Sequence, residues 1–114
     1  MALIGLSGPV SNFILAIILS IPYKFIPPAS ITEFVIAKFI YINVMLGVFN
    51  LVPIPPLDGS RVVMGILPKD LSYRYAAIEP YGFFIILAAF WIGLLDKIVW
   101  PIVISIMGLL GAPL

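Results

Sequence analysis

The stretch NLVPIPPLDGSR, residues 50–61, ends a long apolar segment with three prolines and then places a carboxylate beside them. Pro53, Pro55 and Pro56 have no backbone N–H, so a regular helix cannot continue through this stretch. The carbonyl groups that precede the prolines lose their helical partners and need others. The sequence therefore predicts a helix that is broken by prolines next to Asp58.

The composition of the whole chain is that of a membrane protein. Hydrophobic residues make up 63% of the 114 residues, charged residues make up 10%, and the mean hydropathy is +1.25. Soluble domains are about half apolar and about a quarter charged. We therefore expect one transmembrane domain, residues 1–114, in contact with the lipid bilayer. The net charge of +1 argues against a nucleic-acid partner.

Four apolar segments follow one another along the chain. A helix needs about 20 apolar residues to cross a hydrocarbon core of about 30 Å, and the first two segments have nearly that length. Pro9 suits the start of the first helix, and Glu33 suits the start of the second. We expect an all-α fold, a polytopic membrane helical bundle, whose segments are residues 8–25, about 32–52, 81–95 and 98–110.

A polar connector separates the second segment from the third. Residues 58–80 contain charged side chains of both signs, and RVVMGIL within them has amphipathic spacing. This pattern predicts an interfacial connector that is partly helical. The last two segments are separated by the charged pair Asp96 and Lys97, so we expect a C-terminal helical hairpin with short arms.

Asp58 is the strongest candidate for a functional residue. A carboxylate near bilayer depth costs about 2.5 to 3.5 kcal/mol on insertion scales, and such residues are usually functional. The alternative is that Asp58 caps a helix that begins at Gly59, at the membrane surface. The prolines favour the first interpretation, because irregular backbone at membrane depth persists only where protein buries it or a water-filled cavity lines it. A polar cavity next to Asp58 is therefore expected.

Small and amide side chains form a stripe on each of the first two helices. Their spacing places them on one face of each helix. Such stripes usually pack membrane helices together, but amides can also orient a carboxylate or hold a substrate backbone. The stripes are Gly8, Ser11 and Asn12 on the first helix, and Asn43, Gly47 and Asn50 on the second.

Two stretches together resemble a known family. SGPVSN, residues 7–12, and NLVPIPPLDGSR resemble the paired G-P-x-x-N and N-x-x-P-x-P-x-L-D-G signatures of the site-2 proteases, which are intramembrane zinc metalloproteases. The polar connector and the terminal apolar segments are also similar to small prokaryotic members. The resemblance therefore covers nearly the whole chain.

The resemblance implies hydrolysis of a peptide bond within or beside the bilayer, in a membrane-anchored protein substrate. In this family two histidines of a His-Glu-x-x-His segment and one aspartate bind zinc, and the glutamate is the general base. The aspartate corresponds to Asp58. The prolines of the break are then expected to loosen the helix so that Asp58 reaches the metal. The expected supporting or substrate-positioning residues are Asn12, Asn50, Pro53, Pro55 and Gly59.

The sequence departs from the family pattern because it contains no histidine. The other carboxylates offer only oxygen ligands, which suit magnesium or calcium better than zinc. We therefore expect the C-terminal part of a site-2 protease, which binds zinc only when the missing segment is supplied, for example by another chain, and which is inactive alone. Whether this chain is an enzyme by itself stays open.

Two other functions are compatible with the residues. One is a degenerate family member that acts as a non-catalytic membrane protein. The other is a transporter subunit that uses the proline break and Asp58 to bind an ion or a proton, since broken helices are common in transporters. The expected location is the prokaryotic inner or plasma membrane, with several crossings and a cytoplasmic connector.

Overall fold

A computed structural model describes residues 2–55 and 57–112. All regular secondary structure in these residues is helical, which confirms the all-α prediction. A short 3₁₀ helix, Glu79–Tyr81, precedes the fifth α-helix. The α-helices are α1 Ala2–Tyr23, α2 Ile31–Asn50, α3 Asp58–Ile66, α4 Lys69–Ala76, α5 Gly82–Trp91 and α6 Leu94–Leu110.

The first helix begins six residues before the predicted position, at Ala2 instead of Gly8. Pro9 therefore lies inside α1, and its predicted place at the helix start is wrong. The residues before Gly8 are apolar or small, so nothing in them ends the helix. A proline inside a membrane helix is tolerated where neighbouring elements compensate for the lost hydrogen bond. Pro9 is fully buried, so it lies on the packed face of α1.

Two side-chain hydrogen bonds close the N-terminus of the second helix. The Ser30 hydroxyl accepts a hydrogen bond from the backbone N–H of Glu33 at 3.1 Å. The Glu33 carboxylate in turn accepts one from the backbone N–H of Ala29 at 2.8 Å. These two bonds satisfy donors that have no partner within the helix. They explain why α2 begins at Ile31, one residue before the predicted position.

The core lies where α2 is sandwiched between α1 and α6. Its fully buried side chains are Ala16 on α1, Ile40 and Val44 on α2, and Val103 and Met107 near the end of α6. Most other large apolar side chains of these helices are exposed. Exposed apolar side chains on the outer faces of these three helices are expected where lipid, and not water, surrounds the protein.

The last two helices differ from the predicted hairpin. The chain breaks at Gly93, which has a left-handed φ of 75°, and α6 begins at Leu94. Asp96 and Lys97 therefore lie within α6, where the carboxylate in the first turn suits the helix dipole. The two helices meet at a bend of 78°, so they do not run back antiparallel to each other.

Two helices are long and apolar enough to cross a membrane alone. They are Leu3–Tyr23 and Ile31–Asn50. The bent pair, Lys69–Trp91 followed by Leu94–Leu110, qualifies as a third span if it is counted as one. Length and composition of the described helices thus give two or three spans, where the sequence predicted four apolar segments.

Candidate functional site

The predicted proline break is present and consists of consecutive turns. Helix α2 ends at Asn50, and residues 51–55 and Leu57 lie outside any helix. Within it the N–H of Ile54 donates to the carbonyl of Val52 at 2.8 Å, and the N–H of Leu57 donates to the carbonyl of Ile54 at 2.9 Å. These short-range bonds replace the helical ones that the prolines prevent.

The prolines of the break differ in their surroundings. Pro55 is fully buried, whereas Pro53 is exposed. The carbonyl of Pro53 accepts a hydrogen bond from the hydroxyl of Tyr75, which lies on α4 and is 22 residues away in sequence. The predicted role of Pro56 lies outside the described residues. The break is thus held partly by its own turns and partly by the connector.

Asp58 is the first residue of α3 and follows the break directly. Its carboxylate does not cap a helix that begins at Gly59, so the capping interpretation is wrong: the N-cap position is Leu57, and no side chain caps the helix. The side chain of Asp58 is half-buried. The N-terminal turn of a helix stabilises a negative charge, which offsets part of the cost of placing a carboxylate there.

The carboxylate of Asp58 lies against Gly8 of α1. A Cβ atom at Gly8 would stand 2.8 Å from Asp58 Oδ2, which is closer than side chains approach. One turn earlier, a Cβ atom at Gly5 would stand 2.9 Å from the carbonyl oxygen of Asp58 and 2.9 Å from Cβ of Arg61. The two glycines form a seat for the first turn of α3. The structure thus brings the SGPVSN stretch and the PLDG stretch into contact.

Gly59 allows α3 to fold back against the end of α2. A Cβ atom at this position would overlap the carbonyl of Leu51 and stand 2.6 Å from the carbonyl oxygen of Val52. Both of those groups are backbone atoms, which cannot move aside as a side chain can. Gly59 is therefore required for the geometry that places Asp58 at α1.

The two stripes of small and amide residues contain some residues that pack the helices and others whose predicted role at the site stays a prediction. Asn43 is buried, and its side-chain amide donates to the carbonyl of Phe39 in its own helix at 2.8 Å. Gly47 is buried against the ring of Phe13, whose nearest carbons would stand 2.8 Å from an added Cβ. These positions of α2 therefore pack the helices together.

The remaining stripe residues differ in exposure. Ser11 is exposed, and its hydroxyl donates to the carbonyl of Ser7 at 2.6 Å, so it does not lie on the packed face. Asn12 and Asn50 are both half-buried. Asn12 lies one turn after Gly8, on the side of α1 that faces Asp58. Their supporting roles stay predictions.

A groove lies beside the break, but it is apolar. It has a volume of about 400 Å³ and is lined by side chains that include Phe13, Val52, Pro53, Val99 and Ile102. Asp58 does not line it. This groove separates the end of α2 from α6, and it is not the polar cavity expected next to Asp58.

The side chains present can supply one ligand of a zinc site. Residues 2–55 and 57–112 hold no group of three or more His, Cys, Asp or Glu side chains that could bind a metal ion. Catalytic zinc sites use three protein ligands, with combinations such as two histidines and a carboxylate. Asp58 fits the carboxylate position of such a set. The sequence contains no histidine for the other two positions.

Sequence comparison identifies the family. A family model described as Peptidase family M50 matches residues 23–90, which is more than half of the chain and includes the break and Asp58. The chain belongs to peptidase family M50. This confirms the resemblance to the site-2 proteases, and together with the apolar helices it identifies a membrane protein. No solved structure matches this one significantly.

Two relatives show how much of a family member the chain represents. "Putative zinc metalloprotease YwhC" from Bacillus subtilis (strain 168) is 32% identical over 108 residues, which cover 87% of this chain and 49% of that protein. "Zinc metalloprotease MJ0392" from Methanocaldococcus jannaschii is 37% identical over 70 residues, which cover 61% of this chain and 21% of that protein. The chain thus spans about half the length of the first relative and about a fifth of the second.

The sequence alone did not identify two residues of this site. Gly5 was missed, although its spacing of three residues from Gly8 places both glycines on one helix face and could have indicated a close approach. Tyr75 was missed because its partner, Pro53, is far away in the sequence. No local pattern signals such a contact.

Proposed function

We propose that this chain is part of an intramembrane zinc metalloprotease, in which Asp58 is the third zinc ligand and membrane-anchored proteins are the substrates. The single observation that carries the proposal is the contact between the Asp58 carboxylate and Gly8. This contact joins the two stretches that resemble the family signatures, and it fixes a carboxylate in the first turn of a helix beside a broken helix. Family membership and the names of the relatives support the choice of zinc.

The residues of the chain have distinct tasks in this proposal. Asp58 is one of the three protein ligands of the metal. Gly8 has no side chain and so leaves space for the Asp58 carboxylate. When bound, zinc supplies an activated water as the nucleophile and polarises the peptide carbonyl. Asn12 and Asn50, which are half-buried, support the site or the substrate backbone.

The break has a role in substrate binding as well as in the placement of Asp58. A peptide bond within a helix is shielded by its own turn, so a transmembrane substrate has to unwind locally before attack. The irregular backbone between α2 and α3 gives such an unwound segment a place beside Asp58, where regular helix would fill the space. Pro53 and Pro55 keep this backbone irregular because neither has an N–H for a helical bond.

Two imidazole ligands and a general base have to come from a His-Glu-x-x-His segment outside these 114 residues, since the sequence contains no histidine. We propose that the chain is inactive until such a segment is present, either on another chain or on the same one. We also propose that it crosses a prokaryotic plasma membrane several times, with the connector in the cytoplasm.

Reconstitution tests the proposal. The chain, the N-terminal half of a relative that contains His-Glu-x-x-His, and both together are expressed in membranes and purified in detergent. We expect tightly held zinc and cleavage of a membrane-anchored reporter only in the complex of both. Stoichiometric zinc that survives dialysis in this chain alone, or cleavage by this chain alone, would contradict the ligand count on which the proposal rests.

A further inference from the structure

The carbonyl of Pro53 needs a partner from outside the break. In a continuous helix it would accept a hydrogen bond from the N–H of Leu57, four residues later. The Leu57 N–H instead donates to the carbonyl of Ile54 at 2.9 Å. A backbone carbonyl costs free energy where neither water nor a protein donor reaches it. The hydroxyl of Tyr75 supplies the missing donor.

Helix α4 holds both sides of Asp58 through two side-chain hydrogen bonds. Tyr75 donates to the carbonyl of Pro53, which precedes Asp58 in the break. Ser72, on the same helix, donates to the carbonyl of Met64 in α3 at 3.0 Å. The two bonds fix the break and α3 to one common element. Any shift of the break relative to α3 would have to stretch or break one of them.

Pro53 and Asp58 are separated by only four residues, so a movement at Pro53 acts close to Asp58. Pro55 within it is fully buried and has a fixed φ. The N–H groups of Ile54 and Leu57 are both used in turns of the break. At the other end, Asp58 lies against Gly8 of α1, so a shift of its carboxylate changes this contact.

We propose that Tyr75 is a positioning residue: its hydrogen bond to the Pro53 carbonyl fixes the conformation of the break and, through it, the place of the Asp58 carboxylate. Tyr75 does not touch the metal or the substrate in this role. The part that concerns the metal rests on the proposed function of Asp58. The part that concerns the break does not.

The first arm of the test measures the break without any metal. Hydrogen exchange of the amides of Ile54 and Leu57 is followed by mass spectrometry in the purified chain, for wild type and Tyr75→Phe. Loss of one hydrogen bond is expected to speed their exchange about three- to tenfold. Exchange in the buried part of α2 serves as an internal reference and is expected to stay unchanged. Faster exchange there too would show a general loss of stability and would overturn a local role.

Two variants separate the hydroxyl from the ring. Tyr73 lies on the same helix and is 81% exposed, so Tyr73→Phe is a matched control and is expected to exchange like wild type. Replacement of Tyr75 by 4-aminophenylalanine keeps a donor at the same ring position and is expected to restore wild-type exchange. Equal effects of the two phenylalanine variants, or no rescue by the amino group, would overturn the proposal.

The second arm measures zinc in the reconstituted complex. Tyr75→Phe is expected to weaken zinc affinity about three- to tenfold and to lower kcat, because the zinc ligand Asp58 is displaced when the break changes conformation. If Asp58→Asn weakens zinc binding and Tyr75→Phe does not, the positioning role is overturned and the proposed function stands. If neither variant changes zinc binding, the proposed function fails, and the exchange arm alone decides whether Tyr75 holds the break.

Discussion

Gly8→Ala is the substitution that moves the Asp58 carboxylate with the least other change. The added Cβ would stand 2.8 Å from Asp58 Oδ2, and ordinary contacts begin at 3.4 Å, so the carboxylate has to move by about 0.6 Å. Apart from neighbouring backbone, Oδ2 and Cγ of that carboxylate are the only atoms of residues 2–55 and 57–112 within 4 Å of the Cβ. The end of a side chain can make this shift without unfolding the protein.

A shift of that size is expected to lower the affinity for a metal but not the stability of the fold. Ligand distances in metal sites hold within about 0.2 Å, and perturbed surroundings of a ligand typically cost about 10- to 100-fold in affinity. We therefore expect Gly8→Ala to weaken zinc binding by about tenfold or more in the reconstituted complex, with no fall in the unfolding temperature. Zinc affinity is measured by titration against a chelator of known affinity, and stability by thermal unfolding in detergent.

Gly108→Ala is the matched control for this prediction. Gly108 lies in α6, and a Cβ added there meets no atom of the described part of the chain within 4 Å. Both substitutions raise helix propensity by a similar amount, about 1 kcal/mol, so the difference between them reports the contact with Asp58. Wild-type zinc affinity in Gly8→Ala, or an equal loss in Gly108→Ala, would refute the reasoning.

Three further predictions concern the fold and its orientation. Gly59→Ala should destabilise the chain by about 3 kcal/mol, since the Cβ overlaps backbone carbonyls at the end of α2, and an unchanged unfolding temperature would reject this. Ser30→Ala should cost about 1 kcal/mol through loss of the cap on α2, while Ser105→Ala, at an exposed site within α6, should cost less in the same assay. Lys69→Cys, the only cysteine in such a chain, should react with a membrane-impermeant thiol reagent in inverted vesicles and not from outside intact cells; the opposite pattern would reverse the orientation.

The sequence predicted those features that arise from local chemistry. Composition alone indicated membrane helices, because no soluble core needs so much apolar surface. The prolines at 53 and 55 predicted the end of α2, because they cannot donate helical hydrogen bonds. Asp58 was identifiable because a carboxylate is costly beside an apolar segment. These conclusions depend on single residues and their neighbours, so a sequence suffices for them.

The errors arose where one local signal competed with another. Pro9 suits a helix start, but it lies inside α1, where it is fully buried. The charged pair Asp96 and Lys97 predicts the interruption before the last helix, whereas the left-handed Gly93 makes the turn. A charged residue can occupy the first turn of a helix as readily as a loop, so charge alone does not locate a break.

The long-range contacts of the site could not be predicted from the sequence. The seat that Gly5 and Gly8 form for α3 depends on how two helices cross, and the hydrogen bond from Tyr75 joins elements 22 residues apart. A single sequence carries propensities and periodicity, and neither specifies which helix faces are in contact. The paired signatures indicated that the two stretches belong together, but the structure was needed to show which atoms meet.

The most direct test of the central claim compares Asp58→Asn with Asp70→Asn in the reconstituted complex. Asp70 is exposed in the first turn of α4, so its replacement removes the same charge from a comparable helix position away from the site. A neutral amide is a much poorer zinc ligand than a carboxylate, so Asp58→Asn should weaken zinc binding at least about tenfold and abolish reporter cleavage, while Asp70→Asn should match wild type. Equal zinc affinity and equal cleavage for wild type and Asp58→Asn in an assembled complex would show that Asp58 is not a zinc ligand.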